Sequence, residues 1–247
     1  MALTNFYIIL SVVCVSLISL ISIFLFKIKN LEKILLYLVS FSIGALLGDA
    51  FIHLIPEAFE KIGPVYVGVY VLCGILFSFI IEKFIQWRHC HVQTSRKHPH
   101  RFVYMNLVGD GFHNFIDGLI IAGSYFVSFP VGVATTIAVI FHEIPQEIGD
   151  FGVMLYGGLS RAKALLFNFL TALTAILGAV IGIFLSGMEP ILGFLIPFAA
   201  GNFIYIAGTD LIPELHKNNK NFGSKDFLQF FMIVLGILVM VSLLLLE

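Results

Sequence analysis

Charge is scarce along this 247-residue chain, with only 12% of residues Asp, Glu, Lys or Arg. Soluble domains carry roughly 25%, so a water-soluble globule is excluded. Hydrophobic residues make up 59% of the chain and its mean hydropathy is +1.01. Cysteine is also sparse: Cys14, Cys73 and Cys90 form no Cys-x-x-Cys pair and set up no disulfide framework. A formal net charge of −1 carries no signal for nucleic acid, and no such partner is expected. Polar stretches long enough for a soluble domain are missing. The first hydrophobic run lacks a basic head and a small-residue cleavage site, so it is expected to be a retained helix rather than a signal peptide.

What remains is apolar, and it comes in lengths suited to a bilayer. A helix of about 20 apolar residues spans the hydrocarbon core. That measure gives eight spans, roughly 5–26, 34–55, 64–86, 103–124, 129–155, 161–185, 189–212 and 226–246. The expected fold is an all-α polytopic membrane protein, a single transmembrane domain over 1–247. Cations separate the two sides of the membrane. Thirteen of the fourteen Lys and Arg residues fall in alternate connections, and Lys61 stands alone on the other side. By the positive-inside rule both termini are extracytoplasmic and the loop 87–102 is cytoplasmic.

The chain also echoes itself. His53-Leu54-Ile55-Pro56-Glu57 ends the second span and Asp210-Leu211-Ile212-Pro213-Glu214 ends the seventh. Gly44 and Gly201 stand nine positions upstream of His53 and Asp210 respectively. The topology runs these two spans in opposite directions, which is the mark of inverted repeats in transporters. The repeats would cover about 5–86 and 161–246, with a central helix pair, about 103–155, between them.

Two polar runs interrupt that central pair: His113-Asn114-Phe115-Ile116-Asp117 and His142-Glu143-Ile144-Pro145-Gln146-Glu147. A charged side chain at the centre of a membrane helix costs about 2.5–3.5 kcal/mol on insertion scales, so such groups face a bundle interior and handle an ion or a proton. Residues four apart share a helix face. His113 therefore points with Asp117, and His142 with Gln146. His113 lies roughly 15 Å from the inner end of span four and His142 roughly 18 Å from the outer end of span five. Both runs thus meet near the midplane. Imidazole with carboxylate suits Zn2+, Fe2+, Mn2+ or a similar divalent ion. Asn114 and Glu143, one position round each helix, offer a neighbouring second site that Asp117 would bridge. Pro145 removes a backbone donor and leaves the carbonyl near Phe141 without its helical partner.

The patterns His-Asn-x-x-Asp-Gly in span four and His-Glu-x-Pro-x-Glu-x-Gly-Asp in span five resemble the ZIP family of zinc and iron transporters. The likeness extends to Gly48-Asp49, His53 and Pro56-Glu57, and to Asp210 with Pro213-Glu214. It implies a 3+2+3 helix arrangement, a two-metal centre between spans four and five, and uptake into the cytoplasm. By position, His113, Asp117, His142 and Gln146 match the first metal site, while Asn114, Asp117 and Glu143 match part of the second. The chain departs at 146, where such transporters usually carry His or Glu.

Asp49, His53 and Asp210 are expected to line the path on neighbouring helices, and Glu147 and Asp150 to serve exit of the ion. His89, His91, His98 and His100 form an accessory metal-catching loop, for which a solvated basic linker is the plainer reading. Gly44, Gly48, Gly178 and Gly182 are assigned to close helix packing. His142-Glu143 also opens like the His-Glu-x-x-His helix of metallohydrolases. The second ligand there is Gln146 and Pro145 interrupts the motif, so no enzyme and no catalytic cofactor are expected. The expected cargo is Zn2+, with Fe2+, Mn2+ and Cd2+ as alternatives. The expected location is the plasma (cell inner) membrane, with a homodimer as the assembly to test.

Overall fold

The computed structural model describes residues 2–26, 31, 34–89, 100–185, 189–216 and 223–244, and every regular element among them is helical. Helix α1 (Ala2–Ile18) continues through a 3-10 turn, Ser19–Ser22, into α2 (Ile23–Phe26). Helix α3 (Leu35–Gly48) passes through a π-helical turn, Asp49–Leu54, into α4 (Ile55–Ile62). Then come α5 (Pro64–His89), α6 (Arg101–Val127), α7 (Phe129–Tyr156), α8 (Arg161–Ala172) and α9 (Thr174–Phe184). Helix α10 (Glu189–Tyr205) leads through a second π-helical turn, Ile206–Leu211, into α11 (Ile212–His216), and α12 (Ser224–Leu243) follows.

Six continuous helical segments are long and apolar enough to cross a membrane: Ala2–Ser22, Leu35–Ile62, Pro64–Phe84, Arg161–Phe184, Pro190–His216 and Lys225–Leu243. The α3–α4 and α10–α11 segments run several residues past the spans expected from hydropathy, since Pro56 and Pro213 sit within them rather than ending them. A proline cannot donate to the carbonyl one turn back. In both segments the turn before the proline widens into π-helix, a device common at functional positions.

These two segments are mostly buried, whereas the outer helices expose large apolar residues such as Phe24, Val65 and Phe184. Helix α3 packs on α7 and α12, α10 on α5 and α6, and α1 and α6 on α9. Glycines permit the closest of these approaches. A Cβ on Gly44 would meet the Ile233 carbonyl of α12, and one on Gly201 would meet the Val71 carbonyl of α5. Gly118 and Gly178 stand in the same relation across α6 and α9, each against the backbone of the other helix. In lipid, where apolar burial gives little drive, such backbone contacts supply the association.

Candidate metal centre

The centre is built on the α6–α7 hairpin, whose turn is one residue long. Ser128 is extended (φ −166°, ψ 160°), ends α6 and starts α7, and its hydroxyl accepts a hydrogen bond from the Val131 N–H at 3.3 Å. So short a turn leaves two antiparallel helices in side-by-side contact, and it sets their register. His113 lies fifteen residues before Ser128 and His142 fourteen after it, which places both at one level. Pro145 lies inside α7, which runs on from Phe129 to Tyr156.

At that level four side chains converge. His113 Nε2 is 3.4 Å from Asp117 Oδ2 and 3.7 Å from Glu143 Oε1. His142 Nε2 is 3.2 Å from the same Asp117 oxygen and 4.0 Å from Glu143 Oε1. One ligand atom from each of the four lies within 4.8 Å of all the others. A tetrahedral ion with bonds of about 2.0–2.1 Å sets its ligands roughly 3.3–3.4 Å apart. The observed spacings bracket that value. Asp117 bridges the two imidazoles, as its position four residues after His113 suggests. Glu143, assigned by position to a neighbouring second site, has its carboxylate in this same cluster.

The surroundings suit a guest cation. His113 is fully buried and neither ring nitrogen has a hydrogen-bond partner, nor has Oε1 of the buried Glu143. Buried polar atoms are normally paired, so these lone pairs converge on a space that an ion would fill. The Phe203 ring of α10 lies 4.8 Å from the His113 ring and closes one side. On another side a cavity of about 470 Å³ opens from the cluster, lined by Asp117 and His142 and by Asp49, His53, Glu57 and Glu60 of the α3–α4 segment. Both carboxylate oxygens of the buried Asp49 lack partners. His53 Nε2 is 3.0 Å from the Met240 carbonyl of α12.

The other expected residues take different places. Asn114 is buried and donates to Asp110 Oδ1 at 2.8 Å, leaving its own Oδ1 without a partner. Gln146 is buried one turn beyond His142, with its Nε2 unpartnered. Glu147 accepts a hydrogen bond from Asn168 of α8, and Ser22 donates to its backbone carbonyl at 3.1 Å. Asp150 is buried further along α7, and Asp210 is buried in the second π-helical turn. His100 caps α6 and stacks on Phe102. His89 ends α5, while His91 and His98 lie outside the described residues. Asp110 stands one turn before Asn114. Two contributors, Phe203 and Asn168, come from other helices and carry no signal in the two motifs.

The family model described as ZIP Zinc transporter matches residues 2–102 and 88–244. Zinc transporter ZIP13 of Mus musculus is 32% identical over 250 residues, covering 83% of this chain and 69% of the mouse protein. The ZIP13 homolog of Drosophila melanogaster is 32% identical over 275 residues, covering 85% and 77%. Zinc transporter YKE4 of Saccharomyces cerevisiae is 31% identical over 238 residues, covering 82% and 69%. With a family match along almost its full length and apolar helices of membrane-crossing size, the chain belongs to the ZIP zinc transporter family and is an integral membrane transporter rather than an enzyme.

Proposed function

We propose that the protein carries zinc into the cytoplasm through the His113–Asp117–His142–Glu143 cluster, with Fe2+, Mn2+ and Cd2+ as the alternative ions. The observation that carries this reading is the convergence of four ligand atoms, three on buried side chains and one on the part-buried His142, within 4.8 Å beside an acid-lined cavity. Helices α6 and α7, of 27 and 28 residues, are each about 40 Å long and supply two further spans, making eight. The thirteen-to-one division of cations puts both termini, and the cavity beside Glu57 and Glu60, on the extracytoplasmic side. The 3+2+3 repeat is supported by the two π-helical turns, each beginning five residues after its glycine, Gly44 or Gly201. Each of these glycines packs on the third helix of the opposite repeat, α12 or α5.

In this mechanism an ion enters past Asp49 and His53 and sheds water against His113, Asp117 and His142. It leaves past Glu147 and Asp150 toward the loop that bears His89, His91, His98 and His100, while Asp210 supports the path from the second repeat. Asn114 and Gln146 flank the centre. The plasma membrane is the proposed location, and the orientation reads the same in any membrane with the cytoplasm on the cationic side. Zinc uptake by purified protein in liposomes, with competing ions and an imposed pH gradient, tests the function. No uptake by correctly inserted protein sinks it.

Orientation has its own measurement. In a background without the three native cysteines, a cysteine at Asn219 is expected to react only from the cytoplasmic side and one at Met188 only from outside. Reversed labelling would overturn both topology and repeat. Replacing all four loop histidines with Ser is expected to alter flux only a few-fold. Complete loss in inserted protein would move the essential ligands to the loop. Gln146→His exchanges a neutral amide for an imidazole. It is expected to tighten zinc binding on the order of tenfold and to sharpen preference for zinc over manganese. Unchanged affinity and unchanged ion ratio would show that residue 146 does not face the ion.

A further inference from the structure

Helix α10 packs on two neighbours at once, and the two contacts differ in kind. Toward α6 the contact is largely apolar. Phe203 lies against the His113 ring, and Ile206 fills the notch at Gly109, where a Cβ would come within 2.5 Å of Ile206 Cδ1. Gly109 stands one turn before His113 on the same face of α6. Phe203 and Ile206 are at most 2% exposed. Together they form an apolar cover over the metal-bearing face of α6.

Toward α5 the contact turns polar, in steps of one helical turn. Gly74, Ser78 and Glu82 share a face of α5. At the first step the backbones touch: a Cβ on Gly74 would meet the Phe198 carbonyl, and one on Gly201 the Val71 carbonyl. At the second, the Ser78 hydroxyl donates to the amide oxygen of Asn202. At the third, the Tyr205 hydroxyl donates to the Glu82 carboxylate at 2.5 Å. These four side chains are buried, on a helix that otherwise exposes Leu72, Leu76, Phe79 and Ile80. Polar groups at membrane depth are costly and mark function. Glycine contacts bring the helices close but are non-directional, which leaves α10 free to roll on α5. Hydrogen bonds are directional and prevent it. A roll by one residue position, about 100°, would carry Phe203 off His113 and Ile206 out of its notch.

The repeat-related segment lacks this tie. Gly44 corresponds to Gly201, so Gly48 stands where Tyr205 does. Gly48 has no side chain with which to reach a neighbour, and the α3–α4 segment that follows it lines the cavity beside the cluster. We infer that Glu82 and Tyr205, together with Ser78 and Asn202, are positioning residues that hold Phe203 and Ile206 over the centre and thereby set its preference for zinc. The inference rests on the reading of the His113–Glu143 cluster as the transport centre. Zinc accepts four ligands in a tetrahedron, whereas Mn2+ suits an octahedron of oxygens. A wall that keeps water off the cluster therefore favours zinc. A loosened wall admits the water ligands that Mn2+ requires.

The test measures zinc-to-manganese preference, by competitive binding to purified full-length protein and by uptake into liposomes. Tyr205→Phe removes one oxygen and keeps the ring. It is expected to lower the preference at least fivefold in both assays. Ile206→Ala opens the cover directly and is expected to do the same. The double variant should lose little more than either alone, because both changes act through one cover. Glu82→Gln retains an oxygen that accepts the Tyr205 bond and is expected to keep the wild-type ratio, whereas Glu82→Ala loses it. An unchanged ratio in folded Tyr205→Phe protein would overturn the positioning role. So would additive effects in the double variant, or equal losses in Glu82→Gln and Glu82→Ala. Each of these leaves the centre standing where the wild type prefers zinc and His142→Ala abolishes zinc binding. A wild type that binds zinc no better than His142→Ala overturns the centre, and the inference with it.

Discussion

His142→Ala is expected to reduce zinc uptake to the level of empty liposomes while leaving an inserted, monodisperse protein. The imidazole is the only α7 nitrogen in the cluster, and its Nε2 is 3.2 Å from the Asp117 oxygen that also faces His113. Truncation removes a ligand, and no other residue of the compact set takes its position. Losing a group that merely orients a ligand costs 10–100-fold in affinity, so losing the ligand itself should cost at least about 100-fold. His142 is also the less buried of the two histidines, at 13% side-chain exposure, and lines the cavity beside the cluster. Its removal leaves a wetter hole rather than a collapsed core, and the fold should survive. The same result is expected for Asp117→Ala, which removes the bridge between the two rings. Near-normal flux in folded His142→Ala protein would mean that the ion does not pass between α6 and α7.

Gly118→Leu is expected to abolish assembly of the bundle rather than transport alone. A Cβ at Gly118 would run into the backbone of Ala175 on α9, and the reciprocal Cβ at Gly178 would run into Phe115 on α6. Backbone cannot step aside as a side-chain tip can, so the helices must separate. Overpacking a filled core costs about 1–3 kcal/mol even where side chains can adjust. In lipid the loss is worse placed, because close packing is what joins these helices. Separating α6 from α9 also shifts Asp117, the neighbour of Gly118 in the chain. Gly68 and Gly208, where a Cβ would meet nothing within 4 Å, serve as controls. Leucine at either should leave yield and size-exclusion profile unchanged. A monodisperse Gly118→Leu protein with normal zinc flux would show that the α6–α9 contact is looser than described.

Much of the site is legible in the two motifs because it is local. The four-residue steps from His113 to Asp117 and from His142 to Gln146 follow from helix periodicity alone. The hydrophobic lengths predict midplane depth for both motifs, since 1.5 Å per residue is a property of the helix and not of its neighbours. Scarcity of charge defines a membrane chain, and the lopsided cations propose its orientation, all from composition and order.

Tertiary structure decides what periodicity leaves open, namely the rotation of each helix about its axis and the identity of what it meets. Position alone puts Glu143 in a second site and groups Gln146 with the first. The packed hairpin brings the Glu143 carboxylate within 3.7 Å of His113 and 4.0 Å of His142, because a long side chain facing a partner helix can cross one position of rotation. Phe203 against His113 and Asn168 on Glu147 arise from helices remote in sequence. The echo around Pro56 and Pro213 is visible as letters, yet its form as matched π-helical turns beside glycine contacts is not. Local spacing, set by the geometry of one helix, was determined by the sequence. Which groups complete the shell, and on which side it opens, depended on how separate helices pack, and no single helix encodes that.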